Sequence, residues 1–425
     1  MTVDSTSHWQ RNLVLLLISQ ILILAGFTAA MPFIPLFLRD HMHIASEVDR
    51  GLYMSMFTFF GTFGYAISCP FWGSLSDRFG VKIMLIRGTF VTAFIFPLMG
   101  YCTQPWMLIT LRFITAACAG TTAASHILIA KNTPEDKQGF AQGVLSTSVF
   151  CGSMLGNVLG GFIVHYFGYL FTFWTCGITY IIAGIFVLFV KENFQRPVQL
   201  SVPTETPYVK KIRAYRKSPL PAFTIGVWLM LFLFALWGCI SYMSVPYIAM
   251  LVEVITGPRT AAYWTGIICA FSSGGALVSG VVLGYLSDKL PPRVLMIPVL
   301  SIAGVLLILQ GLSPNLWMYG ITRTLMAVFT GGLSPILFKI LSGATPKRKR
   351  GAVFGWSSTF SNAGVMLSTV FAGWIIFVWN TRGIHIVSGL AMILMIPVVI
   401  WTLHKIMNQP FFLAHSADLF TKKKK

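Results

Sequence analysis

Apolar residues run along this chain in long unbroken stretches parted by short polar turns, and nowhere do they alternate with polar ones as in a membrane β-barrel. A helix of about twenty apolar residues crosses the hydrocarbon core of a bilayer. The runs predict twelve such helices, at 12–38, 52–75, 83–101, 105–130, 139–165, 169–190, 221–249, 261–286, 294–312, 316–341, 351–377 and 383–405. An even count places both termini on one side. One long polar connector, 191–219, carries Pro197, Pro203, Pro207 and Pro219. It divides an N-terminal half (1–190) from a C-terminal half (220–405), and 406–425 is a basic tail. The expected fold is therefore an all-α membrane protein of twelve transmembrane helices in two six-helix halves. No loop is long enough to hold an enzyme domain, so no enzymatic activity is expected.

The halves are copies. Gly73-Ser-Leu-Ser-Asp77-Arg78-Phe-Gly80-Val-Lys82 reads onto Gly284-Tyr-Leu-Ser-Asp288-Lys289-Leu-Pro291-Pro292-Arg293. The same offset carries Pro35 onto Pro246, Arg112 onto Arg323 and Gly120 onto Gly331. One residue more carries Pro134 onto Pro346, Gly152 onto Gly364 and Gly161 onto Gly373. Tandem repeats of apolar spans characterise secondary transporters, whose substrate site lies between the repeats.

Composition agrees: 56% of the residues are hydrophobic and 10% charged, against about 25% charged in soluble domains. The net charge of +19 would suit nucleic acid, but its placement argues against that partner. The connector holds Lys191, Arg196, Lys210, Lys211, Arg213, Arg216 and Lys217, the loop after span 10 holds Lys347 to Arg350, and the tail ends in Lys422 to Lys425. The opposite loops hold only Arg39, Arg50, Arg259 and Arg382. Basic loops stay cytosolic, so termini and connector are expected in the cytosol, against anionic headgroups. Arg11 precedes a run too long for a signal peptide, which reads as an uncleaved first span. The lack of any Asn-x-Ser/Thr site favours a bacterial inner membrane. Seven cysteines without a Cys-x-x-Cys read as small packing residues. His41 and His43 lack a third ligand nearby, so neither metal nor cofactor is expected.

Two arginines fall inside apolar spans. Arg112 and Arg323 each lie about seven residues into spans 4 and 10, where a charge costs about 2.5–3.5 kcal/mol on insertion scales and usually faces a polar interior. Small residues follow at helical spacing: Ala116, Ala119 and Ala123, then His126, after the first; Ala327, Thr330 and Ser334 after the second. Either the arginines offer forked donors to a substrate or a proton-coupling network, or they reach headgroups or nearby carbonyls. The twelve carboxylates all lie outside the middles of the spans. Proton carriage is left to His126, Asp77 or the substrate; His126 equally fits a histidine satisfied near the cytosolic end of span 4. An acid-free cavity with two arginines suits anions or neutral amphiphiles better than lipophilic cations. Phe27 with Thr28, Phe33, Trp237, Tyr242 and Tyr247 either line it or pack helices.

These landmarks resemble the major facilitator superfamily over essentially the whole chain. Gly73 to Lys82 is similar to that family's loop between spans 2 and 3, with Val81 where a second basic residue is usual. Gly152-Ser-Met-Leu-Gly156-Asn157-Val-Leu-Gly160-Gly161 resembles the span-5 motif of the drug:proton antiporter branch, with Asn157 in place of proline. Arg112 matches that branch's span-4 arginine. Met31-Pro-Phe-Ile-Pro35 and Pro70-Phe-Trp-Gly73 look like bacterial twelve-helix multidrug effluxers. The resemblance implies that spans 4 and 10 line a cavity. It implies that Gly73, Asp77, Arg78, Gly80 and Lys82, with Asp288 and Lys289 as a weaker copy, latch the halves in an outward-open state. It also implies that Gly152, Gly156, Gly160 and Gly161 let span 5 pack closely and bend. The expected function is efflux of a small drug-like or anionic molecule in exchange for protons, by alternating access and as a monomer. Two alternatives stand beside it: a carrier of an organic anion such as a carboxylate siderophore, and a membrane sensor that has lost transport.

Overall fold

The computed structural model describes residues 9–134, 137–192, 225–343, 345 and 350–407. The connector beyond 192, the basic tail, the cations at 347–349, and the side chains of Asp77 and Asp288 lie outside the described residues. Among these residues all regular structure is helical. Among the described residues nine helices are long and apolar enough to cross a membrane. Two of them hold two spans each: Gln138–Leu188 is broken at Gly168 and Arg350–Met407 at Asn380. Glu47–Phe79, more polar than the rest, supplies span 2.

The repeat extends to the breaks. Gly168 (φ 82°, ψ 177°) and Asn380 (φ 58°, ψ −173°) occupy equivalent places between spans 5 and 6 and between spans 11 and 12. That backbone region is open to glycine and strained for other residues, by about 1–3 kcal/mol. The Asn380 turn is held by the next residue, whose N–H donates to Glu47 Oε1 of the other half at 2.9 Å. Spans 4 and 10, each a single run in sequence, are interrupted: helix Pro105–Cys118 gives way at Ala119 and Gly120 (φ 112°) before Thr121–Asn132, and Leu316–Thr330 gives way at Gly331–Gly332 before Leu333–Gly343. Spans 1 and 7 turn through short 3-10 segments, Met31–Phe33 and Val245–Tyr247, and span 7 continues to Thr256, beyond its predicted end.

Packing differs between the two sides of the membrane. Toward the side of the His41–Ser46 turn, one apolar core is shared by both halves: Phe37, Met54 and Phe96 pack with Tyr247, Met250 and Ile376. Toward the connector side each half keeps its own core, Leu16, Leu85 and Leu145 in the first, Leu231, Leu300 and Leu337 in the second. There Gly73, Gly139, Gly143, Gly280, Gly284 and Gly355 face open space, with nothing near the position of an added Cβ. On the connector side of the first half, the Glu192 carboxylate accepts from the Val81 and Lys82 N–H groups at 3.0 and 2.7 Å, satisfying the start of span 3. Asn12 and Lys191 exchange hydrogen bonds, at 2.8 and 3.1 Å, tying the start of the connector to span 1.

Polar contacts between the halves gather on the shared-core side. Glu253, at the end of span 7, takes Arg39 at 2.8 Å on one oxygen and Arg50 at 2.6 Å on the other. Arg39 also bonds Asp40 and the Pro258 carbonyl, and Tyr169 donates to Asp40 at 2.6 Å. Beneath this cluster Ser55 and Tyr247 share a 2.5 Å hydrogen bond. Removing one member of such a nearly dry pair leaves its partners uncompensated, which costs more than the pair contributes. Two outcomes follow. Glu253→Gln should open this side, so that an impermeant thiol reagent added there reaches a cysteine placed at Val245; labelling equal to the unsubstituted Glu253 background would contradict the seal. Asn380→Gly should raise the thermal unfolding midpoint, by an increment equivalent to about 1 kcal/mol; a lower midpoint would mean that the turn is not strained.

Candidate functional site

A cavity of about 690 Å³ lies between the halves, beneath the shared core. Its volume is in the range that holds drug-sized molecules. The wall is built from spans 1, 2, 4 and 5 and from their counterparts 7, 8, 10 and 11. Arg112 and Arg323 both line it, with Phe27, Thr28 and Tyr242. Among the described residues the wall contains no carboxylate, lysine or histidine.

Each arginine is set by local sequence. Arg112 leaves span 4 one turn before the small residues Ala116 and Ala119, and its side chain lies along Gly61 of span 2, where an added Cβ would come within 2.6 Å of Nε. The guanidinium carbon sits 5.1 Å from the Phe27 ring centre and 5.6 Å from that of Phe57. Ring faces stabilise a cation where water is scarce. Nε of Arg112 is buried without a hydrogen-bond partner. Arg323 is 6% exposed. Its Nη1 reaches Ser244 Oγ at 3.5 Å, and its Nε is also unpartnered. Burial of a guanidinium without full hydrogen bonding is costly. Both groups are thus donors short of acceptors, which is the condition for holding an anion or a strong acceptor.

The other sequence candidates fall elsewhere. His126 lies off the cavity wall, its Nδ1 2.5 Å from Gln142 Oε1, while Gln142 donates back to the His126 carbonyl at 2.8 Å. Trp237 is in the apolar core of the second half. Gly73 and Arg78 are exposed at the open side, and Gly80 (φ 98°) makes the turn into span 3. Lys82 donates to the Leu188 carbonyl at 2.8 Å, and Lys289 bonds the Tyr285 hydroxyl within its own half. Gly152, Gly156 and Gly160 face the span-1 backbone at Ile21, Ala25 and Ala29, and Gly161 faces Gly266 of span 8 across the halves.

Several polar residues escaped the sequence reading. Arg87, inside span 3, stacks 3.3 Å from the Trp72 ring centre, and Trp72 donates to the Ala117 carbonyl at 2.6 Å, beside the break in span 4. Its depth in the span was the available signal, as for Arg112. His385, fully buried on span 12, packs edge-on against Tyr319, one turn from Arg323. Asn157 lines the cavity, though the sequence marked it only as a departure from a motif.

Comparisons with known proteins bear on what this cavity belongs to. The family model described as Major Facilitator Superfamily matches residues 16–309 and 260–410. The chain is 29% identical to the multidrug resistance protein MdtG of Enterobacter lignolyticus over 395 residues, covering 92% of this chain and 91% of that protein. Its similarity to the protein of the same name from Escherichia fergusonii is 28% over 391 residues, 91% of this chain and 93% of that one. Among solved structures, a D-xylose-proton symporter superposes with a TM-score of 0.69 at 16% identity, over 89% of this chain and 96% of that one. A bacterial homologue of the lysosomal transporter Spinster, in an inward-facing and unoccupied conformation, superposes at 0.64 and 15% identity, over 96% and 97%. At these identities the structural likeness speaks for the fold.

The Gly61 contact yields a direct check on how Arg112 is held. Gly61→Val should displace the guanidinium and weaken binding of an aromatic sulfonate about tenfold or more, the scale of losing a charged hydrogen bond, with thermal unfolding little changed. Unaltered binding would mean that Arg112 does not depend on this groove.

Proposed function

The chain belongs to the major facilitator superfamily and is a membrane transporter, and from that premise we propose that it exports small anionic or neutral amphiphilic molecules, coupled to protons. One observation carries the reading: the wall of the central cavity presents two guanidinium groups, Arg323 buried and Arg112 half-buried, each with a buried Nε lacking a partner, and, among the described residues, no carboxylate. The relatives at 28–29% identity bear the name multidrug resistance protein, which favours efflux of drug-like compounds over uptake.

In this reading the connector side faces the cytosol, as the loop cations argue. The state described is then inward-open, with separate cores at the cytosolic end and the Glu253 cluster sealing the far side. Substrate enters from the cytosol and neutralises Arg112 of one half and Arg323 of the other. A ligand that contacts both halves favours whichever state lets both contacts form, which is how binding energy shifts the access equilibrium. The loop from Gly73 to Lys82 is the latch of the opposite state, since Gly73 and Arg78 are exposed here with nothing packed against Gly73. Thr28, Tyr242, Phe27 and Phe57 supply hydrogen bonds and ring faces around the charges, so that molecules of varied shape fit one pocket. A carrier of organic anions is the second reading, favoured by the same arginines.

The test uses the purified full chain and two probes of opposite charge. Naphthalene-1-sulfonate should bind, and Arg112→Ala and Arg323→Ala should each weaken it about tenfold or more. Tetraphenylphosphonium should bind weakly and gain in both variants. Tighter binding of the phosphonium, indifferent to the substitutions, would overturn the anion reading. In proteoliposomes, sulfonate flux driven by a pH gradient separates a transporter from a sensor, which would bind without flux.

A further inference from the structure

We propose that Asn157 is a specificity-determining residue of the cavity, its Oδ1 accepting a hydrogen bond from the transported molecule, so that the favoured substrates carry an O–H or N–H donor as well as an acidic or strongly accepting group. The proposal deepens the reading above and rests on it for the acidic group alone.

Asn157 is 5% exposed, lines the cavity, and its Oδ1 is buried without a partner. The amide orientation follows from its neighbour. Ser273, on span 8 of the other half, gives its hydroxyl proton to the Cys269 carbonyl at 2.9 Å. Its oxygen can then only accept, so it faces Nδ2 of Asn157, at 3.4 Å. That leaves Oδ1 without a donor from the protein. The backbone beneath cannot adapt, because Gly161 and Gly266 bring spans 5 and 8 into close contact there, an added Cβ on Gly161 lying 2.8 Å from the Gly266 Cα.

The remaining wall shares this bias. The hydroxyl protons of Thr28, Ser241, Ser272 and Thr330 are all turned onto carbonyls of their own helices, at 2.6 to 2.8 Å. With the proton so placed, each of these oxygens is left able only to accept. Beside these hydroxyls the wall holds those of Tyr65 and Tyr242 and the amide of Asn362, and Asn157 is the residue whose buried acceptor is fixed in place from both halves. Oδ1 has no partner in the empty cavity, so a ligand that brings a donor gains a hydrogen bond that other ligands do not.

The experiment compares 4-hydroxynaphthalene-1-sulfonate with naphthalene-1-sulfonate on the purified full chain at neutral pH. The hydroxyl should tighten binding to the wild type about tenfold, the scale of one buried hydrogen bond. Asn157→Ala should abolish that preference and leave the plain sulfonate within about twofold of wild type. Asn157→Asp keeps the acceptor and adds a negative charge, so both sulfonates should weaken while the hydroxyl preference persists; this variant reads the role even where Asn157→Ala fails to fold. No preference in the wild type, or a preference that survives Asn157→Ala, overturns the proposal. If neither sulfonate binds, the anion reading fails, and the role of Asn157 is then decided by 1-naphthol against 1-methoxynaphthalene with the same criteria.

Discussion

Everything in the centre of this molecule follows from placing two guanidinium groups in a low-dielectric wall that, among the described residues, has no carboxylate to answer them. An arginine remains charged at any accessible pH, so the cost of burying Arg112 and Arg323 cannot be relieved by losing a proton. The protein offsets part of it with ring faces from Phe27 and Phe57 and a hydroxyl from Ser244. On the reading proposed here, the remainder makes the empty cavity a poor resting place for cations and a ready one for anions. The glycines and alanines around the arginines have the same cause: Gly61, Ala116 and Ala327 leave the room that a large side chain and its ligand both need.

The second constraint is that the described residues pack across the halves on one side only. A core shared by both halves and a carboxylate held by two arginines close the His41–Ser46 side, while on the other side each half is packed within itself. The contrast is informative about mechanism. Apolar surfaces that already bury themselves within a half lose little when the halves part, whereas the shared core must be exposed or re-covered. Opening that side therefore needs a compensating source of free energy, and on the reading proposed here a ligand that bridges Arg112 and Arg323 supplies part of it. Breaks in spans 1, 4, 7 and 10 at equivalent or nearly equivalent places let the walls bend where the cavity lies.

Much of this was legible in the sequence, for definite reasons. Long apolar runs fix helices in a bilayer whatever their neighbours, so the twelve spans and the repeat could be read directly. An arginine within such a run has few stable places to go, which is why Arg112 and Arg323 could be singled out and why both line one cavity. The interruptions at Gly120 and Gly331–Gly332 were hidden because apolar composition continues through them; hydropathy does not register a lost helical hydrogen bond. Glu253 and Arg50 read as loop charges because their pairing depends on tertiary approach of spans 2 and 7. Trp237 shares its helix with Tyr242, and only packing tells which turns inward. Arg87 carried the same signal as Arg112 and was passed over because its copy in the second half is not basic.

The most direct test of the central claim is to locate a bound anion. A structure of the full chain with 4-bromonaphthalene-1-sulfonate would place the bromine by anomalous scattering and the sulfonate by density. This account predicts the sulfonate between the two halves, within hydrogen-bonding distance of both guanidinium groups. A sulfonate seated in a lipid-facing crevice or at the headgroups, with both arginines turned away from the cavity, would contradict it.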